Sequence, residues 1–388
     1  MLKRTLTLVT SFSRKSTGRY SGPDILQTKL SEAEHLSAYK KLFYDNSIKA
    51  DDPLVAKLAK GVVAGNRSAL AQAITLVSSK NTTKRTQGNF LVTEVLKQER
   101  EKYRIEGGKS LIFRIAISGS PGVGKSSFIE ALGNDLTDKA GLKVAVLTVD
   151  PTSAITGGSI LGDLTRMHKL SVNPNAYIRQ SPSSGSLGGV ARGLHESIIL
   201  CEGAGYNVVI IETVGVGQSE IAVTDMCDLF CLLIAPAQGD ELQGIKRGIM
   251  EHSDLIIVTK SDGDLEGPSR LTAAEHMSAL KFMRPKSDIW KPKVLRASIH
   301  KPDTITKVRE EMYHYHSIAL KTGHMKAKRD EQMITWMWNH VREEIVTLFQ
   351  RHPEVRKEID SVEFKVRNND ITPGFGAETL LRKFFGFD

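Results

Sequence analysis

Cysteine is nearly absent from this chain: Cys201, Cys227 and Cys231 are the three in 388 residues. So few thiols build no disulfide framework, which excludes the small cross-linked secreted scaffolds and suits a reducing compartment. Cys227 and Cys231 stand four apart at the edge of an apolar run and read as small buried hydrophobes. No Cys-x-Cys-Cys-like cluster and no histidine-rich tract is present, and the 11 histidines are scattered. No apolar run approaches the length that spans a bilayer, so no membrane partner is expected. Acids are missing at the start. Lys3, Arg4, Arg14, Lys15 and Arg19 precede the first carboxylate, Asp24. The formal charge is +9, and without those five bases the excess falls to about +4, too little and too scattered to argue for nucleic acid. No internal repeat or low-complexity tract breaks the chain.

What is present divides into four stretches. Residues 1–25 mix bases with Ser, Thr and apolar residues. They resemble a mitochondrial transit peptide and lack the longer apolar core of a secretory signal; the alternative is a plain basic tail. Residues 26–108 carry helical patterns. One opens at Ser31-Glu32-Ala33-Glu34 before Leu36, Tyr39, Leu42 and Phe43. Others start at Pro53 and at Asn66, and a fourth holds Phe90, Val92, Val95 and Leu96. Over 109–302 the pattern becomes strand, turn, helix, with strands expected at 111–118, 143–150, 207–213, 229–235, 254–259 and 293–298. Such alternation predicts an α/β fold, a doubly wound and mostly parallel sheet with ligands at the carboxyl ends of its strands. Residues 303–388 return to helix, at 304–321, 327–350 and 375–385. The second of these carries Met333, Trp336, Met337, Val341, Ile345 and Phe349, which either pack on their own domain or form an arm against another subunit.

The most specific motif is Gly119-Ser120-Pro121-Gly122-Val123-Gly124-Lys125-Ser126, a full match to G-x-x-x-x-G-K-[ST]. Glycines let backbone N–H groups turn onto a phosphate, Lys125 supplies a point charge, and the Ser126 hydroxyl suits Mg²⁺. An apolar strand precedes the loop. A helix beginning Ser126-Ser127 follows, its positive end toward the anion.

The base is read elsewhere. Leu255-Ile256-Ile257-Val258 leads into Thr259-Lys260-Ser261-Asp262, an [NT]-K-x-D pattern. A carboxylate at Asp262 accepts from both N1–H and the exocyclic amine of guanine, whereas adenine would leave it unpaired. Ser298-Ile299-His300 occupies the place of an S-A-[KR] loop, with Ile299 where alanine is usual; a backbone contact to the base survives that change. The nucleotide expected is therefore GTP or GDP, and the chemistry GTP hydrolysis. Acids for Mg²⁺ and the γ-phosphate are Glu212, Asp150 and Asp163, with Gly215 offering an N–H. Some of these acids act through water and one orients the attacking water. Sequence does not apportion those roles.

Longer stretches join these motifs: Asp150–Ser153, Thr156–Asp163, Ser181–Ala191, Glu212–Glu220 and Gly239–Lys246. With them the chain resembles, over roughly 35–388, the MeaB family, which includes the methylmalonic aciduria type A proteins and belongs to the metallochaperone-like phosphate-loop GTPases with glutamate in the third nucleotide motif. The resemblance implies a chaperone of adenosylcobalamin-dependent methylmalonyl-CoA mutase that gates cofactor loading with GTP. It implies a homodimer built through the C-terminal helices and a place in the mitochondrial matrix. It also assigns phosphate and Mg²⁺ roles to Lys125, Ser126, Asp150, Asp163 and Glu212, and makes Gly239–Lys246 a mobile element near the partner. Glycines 185, 188, 189, 215 and 217 suit loops that a γ-phosphate orders. The competing readings are a metal-insertion GTPase, a small-molecule kinase and a binding scaffold.

Overall fold

The computed structural model describes residues 44–79, 81–105, 111–150, 167–182, 187–213, 223–236, 247–283 and 286–386. The leader at 1–25, the helix expected from Ser31, Asp163, Gly185, Gly215, Gly217 and the Gly239–Lys246 element lie outside them. Three helices come first: α1 (Pro53–Val63), α2 (Arg67–Val77) and α3 (Thr82–Ile105). Asp52 caps α1 by accepting from the N–H groups of Leu54 and Val55, and Asn66 caps α2 in the same way.

The α/β part then runs β1 (Phe113–Gly119), α4 (Lys125–Asn134), β2 (Val144–Asp150), α5 (His168–Val172), β3 (Ala176–Pro182), α6 (Leu187–Gly203), β4 (Val208–Glu212), β5 (Leu229–Ile234), α7 (Arg247–His252), β6 (Leu255–Val258), α8 (Glu266–Leu280) and β7 (Lys293–Arg296). Among the described residues the strands form one seven-stranded sheet, ordered β3-β2-β4-β1-β5-β6-β7, with every pairing parallel. All carboxyl ends therefore share one edge. β1 sits centrally, where connections to the two sides diverge.

The inner strands β1, β4, β5 and β6 are buried throughout, as expected when both faces are covered. Alternate residues feed two cores. Ala116, Val209, Ile211, Phe230 and Leu232 join α1–α3 and α6 on one face. Ile115, Ile117, Ile210, Cys231 and Leu233 join α4 and the first C-terminal helix on the other. Cys201, Cys227 and Cys231 are all buried thiols, and burial pushes the Cys227 thiol up to about 12.

The C-terminal helices are α9 (Pro302–Lys321), α10 (His324–Arg351), α11 (Pro353–Arg367) and α12 (Pro373–Phe385). α10 passes beneath the amino edge of the sheet, with Met325 in one core and Trp336 in the other. Between them Arg329 reaches Asp228 (Nε to Oδ1 2.9 Å, a terminal nitrogen to Oδ2 2.7 Å) and approaches Glu202 at 3.3 Å. Arg114 pairs bidentately with the same Glu202, at 2.7 and 2.6 Å. Trp336 stacks on His195, 4.0 Å between centroids and 10° between planes, and burial keeps that imidazole neutral by lowering it to about 2. One side of α10 is thus core, while Ile334, Trp338, Val341 and Ile345 remain exposed.

Three departures from the sequence pattern stand out. β3 is an edge strand whose Arg179, Gln180 and Ser181 hide it from an apolar-run search. Helix α11 buries little beyond Val355 and Val362, too sparse a signal to predict it. Gly188 and Gly189, expected in a mobile loop, stand in the first turn of α6.

Candidate functional site

Residues Gly119 to Gly124 form a tight loop that runs from β1 into α4, whose first turn carries Lys125, Ser126 and Ser127. Gly119 has φ +153, and a β-carbon there would lie 2.4 Å from the Leu233 carbonyl oxygen on β5, so no side chain fits. Gly122 (φ +81) and Gly124 (φ +96) are left-handed, the conformation that turns successive N–H groups to one side. Gly124 caps α4 and contributes no side-chain bond, which keeps the first turn available to an anion. Lys125 Nζ donates to the carbonyl oxygens of Gly119 (2.7 Å) and Ser120 (3.1 Å), arching over the loop. Ser120, Pro121 and Ser127 are exposed, and Val123 anchors the turn in the core.

The base segment is tied to this loop directly. Thr259 Oγ1 donates to the Val123 carbonyl at 2.8 Å and lies 3.2 Å from that of Ile234. Lys260, itself at φ +51, sends Nζ to the Gly122 carbonyl at 2.9 Å. Asp262 Oδ1 accepts from Ser298 Oγ at 2.7 Å, and Ser298 Oγ accepts in turn from His300 N–H at 3.0 Å. The Ser298 N–H is taken by Thr304 Oγ1 at 2.9 Å. Of the three N–H groups in this loop, Ile299's carries no hydrogen bond among the described residues and can serve the base. The Ile299 side chain is 46% exposed, so its bulk beyond alanine meets little. At the rim, hydrogen bonds from Lys301 and Arg270 draw the exposed Glu266 carboxyl down to about 2.

On the other side of the loop, Ser126 Oγ donates to Glu212 Oε1 at 2.9 Å. Glu212 closes β4 opposite Ile117 of β1, and it is 8% exposed. Asp150 ends β2, two residues past Thr148, which is the register partner of Glu212. Among the described residues no three metal-ligating side chains converge. Ser126 and Glu212 are the two that meet, and both offer the hard oxygen donors Mg²⁺ selects.

Thus the structure links Gly122 and Val123 to Thr259 and Lys260, Asp262 to Ser298, and Ser126 to Glu212. It also supplies residues that motif reading passed over. Thr304 engages the Ser298 amide. Thr213 and Ser118 share a buried hydroxyl contact of 2.9 Å. Thr213 directly follows Glu212, yet a lone hydroxyl beside a motif carries no signal until its partner is located in space. A cleft of about 540 Å³ between α3, α6 and α10 lies away from this loop and has none of these residues in its wall.

Known proteins resemble this chain in sequence and in fold. A family profile described as methylmalonyl-CoA mutase-associated GTPase MeaB matches residues 70–354. The chain is 59% identical over 351 residues to the methylmalonic aciduria type A homolog, mitochondrial, of Caenorhabditis elegans, covering 90% of this chain and 88% of that one. It is 39% identical over 318 residues to GTPase ArgK of Escherichia coli, covering 81% and 92%. A crystal structure titled LAO/AO transport system kinase superposes with a TM-score of 0.64 at 31% identity, over 86% of this chain and 98% of that one.

Proposed function

We propose, because this chain belongs to the MeaB family of methylmalonyl-CoA mutase-associated GTPases, that it binds and hydrolyses GTP to control how adenosylcobalamin is loaded into methylmalonyl-CoA mutase and to protect or reactivate that enzyme. The observation that carries the nucleotide half is the Lys260–Gly122 contact, at 2.9 Å, together with Ser298 holding Asp262, at 2.7 Å. These bonds join the segment suited to guanine to the segment suited to phosphate, so both ends of one ligand are registered by a single rigid unit. Co-purification with the mutase, compared in GDP and in a non-hydrolysable GTP analogue, tests the client half. Equal recovery in both nucleotides would overturn it.

Within the site, Asp262 accepts from the guanine N1–H and amine, Lys260 lies along the base, and the Ile299 N–H meets the base oxygen. Replacing Asp262 by Asn turns one acceptor into a donor. We expect GTP affinity to fall by about 100-fold, the worth of one charge-assisted pair. XTP, which has a carbonyl where guanine has its amine, should gain. Competitive nucleotide titration checks both. Lys125 and the N–H groups of residues 122–127 hold the phosphates. Ser126, Asp150, Asp163 and Glu212 would hold Mg²⁺, some through water. When bound, the ion neutralises charge developing on the phosphate oxygens. Gly215 would donate its N–H to the γ-phosphate, and one carboxylate would orient the attacking water. Loss of the γ-phosphate would then change what the protein presents to the mutase.

The homodimer we assign to α10. Ile334, Trp338, Val341 and Ile345 recur at i, i+4, i+7 and i+11 on one exposed stripe, an apolar surface that a second copy would cover. Replacing Ile334 and Ile345 together by Glu should convert dimer to monomer in light scattering and leave GDP affinity unchanged. The leader at 1–25 fits delivery to the mitochondrial matrix, in keeping with the mitochondrial names of the animal relatives.

A further inference from the structure

At the ends of β1 and β4 two fully buried hydroxyls meet. Ser118 is 0% and Thr213 1% exposed, and their oxygens are 2.9 Å apart. On the same face, the residues two back along each strand, Ala116 and Ile211, are buried and apolar. Valine or alanine would fill the same volume there without burying polar atoms.

The register explains what the pair does. Ile117 stands opposite Glu212, and the last ladder bond runs from Thr213 N–H to the Ile117 carbonyl at 3.1 Å. Past that bond β1 swings away at Gly119 into the phosphate loop. Side chains alternate along β4. Ile210 belongs to the core on the α4 side, and Glu212, two residues on, bonds Ser126 of α4. Ile211 belongs to the core on the α6 side, and Thr213 bonds Ser118 there. Consecutive residues at the end of β4 are therefore held on opposite faces of the sheet, which stops this end of the strand from rolling about its axis.

We propose that Thr213 is a positioning residue: its hydroxyl bond to Ser118 fixes the roll of the β4 end and so holds the Glu212 carboxylate on Ser126, where the magnesium-bound nucleotide is received. This rests on the nucleotide reading given above. In this reading Thr213 acts through Glu212, because its hydroxyl is engaged by Ser118 on the face of the sheet opposite Ser126.

Thr213→Val keeps the shape and removes the hydroxyl. Losing one buried hydrogen bond predicts about a tenfold change. In the nucleotide-free protein, amide exchange at Thr213 should quicken by about tenfold. With fluorescent GDP bound, half-saturating Mg²⁺ should rise about tenfold, GDP affinity in EDTA should stay within about twofold, and GTP turnover should fall about tenfold. Thr213→Ser should restore all of these. Ser118→Ala, which breaks the same contact from β1, should reproduce the Mg²⁺ shift and stands in if the valine variant does not fold. Unchanged exchange and unchanged Mg²⁺ demand in folded Thr213→Val would overturn the proposal alone. A wild-type protein without Mg²⁺-dependent guanine nucleotide binding would overturn the nucleotide reading itself.

Discussion

Lys125→Ala loses tight binding of both GTP and GDP, with affinity down by at least about 100-fold, while the protein stays folded. The ammonium of Lys125 spans the phosphate loop on two neutral carbonyls, at 2.7 Å from Gly119 and 3.1 Å from Ser120. A triphosphate is a far stronger acceptor than a carbonyl, and charge-assisted bonds of this kind are worth roughly 1.5–3 kcal/mol each. Two of them exchanged for none amounts to about 3 kcal/mol or more, hence two decades in affinity. The fold is kept, because α4 and β1 are held by Phe128, Ile129, Ile115 and Ile117 in the core. Calorimetric titration with each nucleotide measures the loss, and the melting temperature of the empty protein serves as the control. Normal GTP hydrolysis by the variant would mean that the phosphates bind elsewhere.

Arg329→Met should be the most damaging substitution far from the nucleotide, costing about 3–5 kcal/mol of stability. The guanidinium lies among Asp228, Glu202 and the Ile112 carbonyl, and side-chain exposures are 11% for Arg329, 1% for Asp228 and 10% for Glu202. Burial alone would raise the Asp228 carboxyl, but Arg329, with help from Arg114, outweighs it and holds the group below the usual carboxylate range. Removing Arg329 leaves that charge buried with less compensation. Urea unfolding at neutral pH reads the loss, and adding Asp228→Asn to Arg329→Met should recover part of it. The pH dependence follows from the lowered value. A carboxyl whose folded pKa lies below its unfolded one stabilises fully above the unfolded value, near 4. That contribution fades as pH falls toward the folded value. Wild type should therefore lose stability on acidification below about pH 4 more steeply than the double variant. Because Arg329 sits between Met325 and Trp336 on α10, the same change would loosen the helix that carries Ile334 and Ile345.

Much of the candidate site is legible in the sequence. The loop from Gly119 to Ser126 announces itself because φ-positive turns demand glycine at fixed offsets and because lysine and serine must follow at once. Thr259 to Asp262 is equally local, a strand end with a carboxylate three residues on. The central strands read clearly since each is a short apolar run with both faces covered. β3 did not, because an edge strand tolerates Arg179 and Gln180. Nor did the partners of Thr213, Asp228 and Arg329, which lie 95, 114 and 101 residues away along the chain in their contacts with Ser118, Arg114 and Asp228.

Composition and local spacing carry the chemical reading of this protein: a phosphate-loop motif, a carboxylate suited to guanine, an alternating α/β chain with few thiols and no membrane-length apolar run. These depend on residues close in sequence, where covalent geometry leaves few options. Packing settled the rest. It decided that Glu212 faces α4 while Thr213 faces α6, that the base segment grips the phosphate loop through Lys260, and that one side of α10 is core while the other is left open. Each of those outcomes is a choice among distant partners, made by burial and hydrogen-bond satisfaction, and no short window of the chain contains both members of the pair.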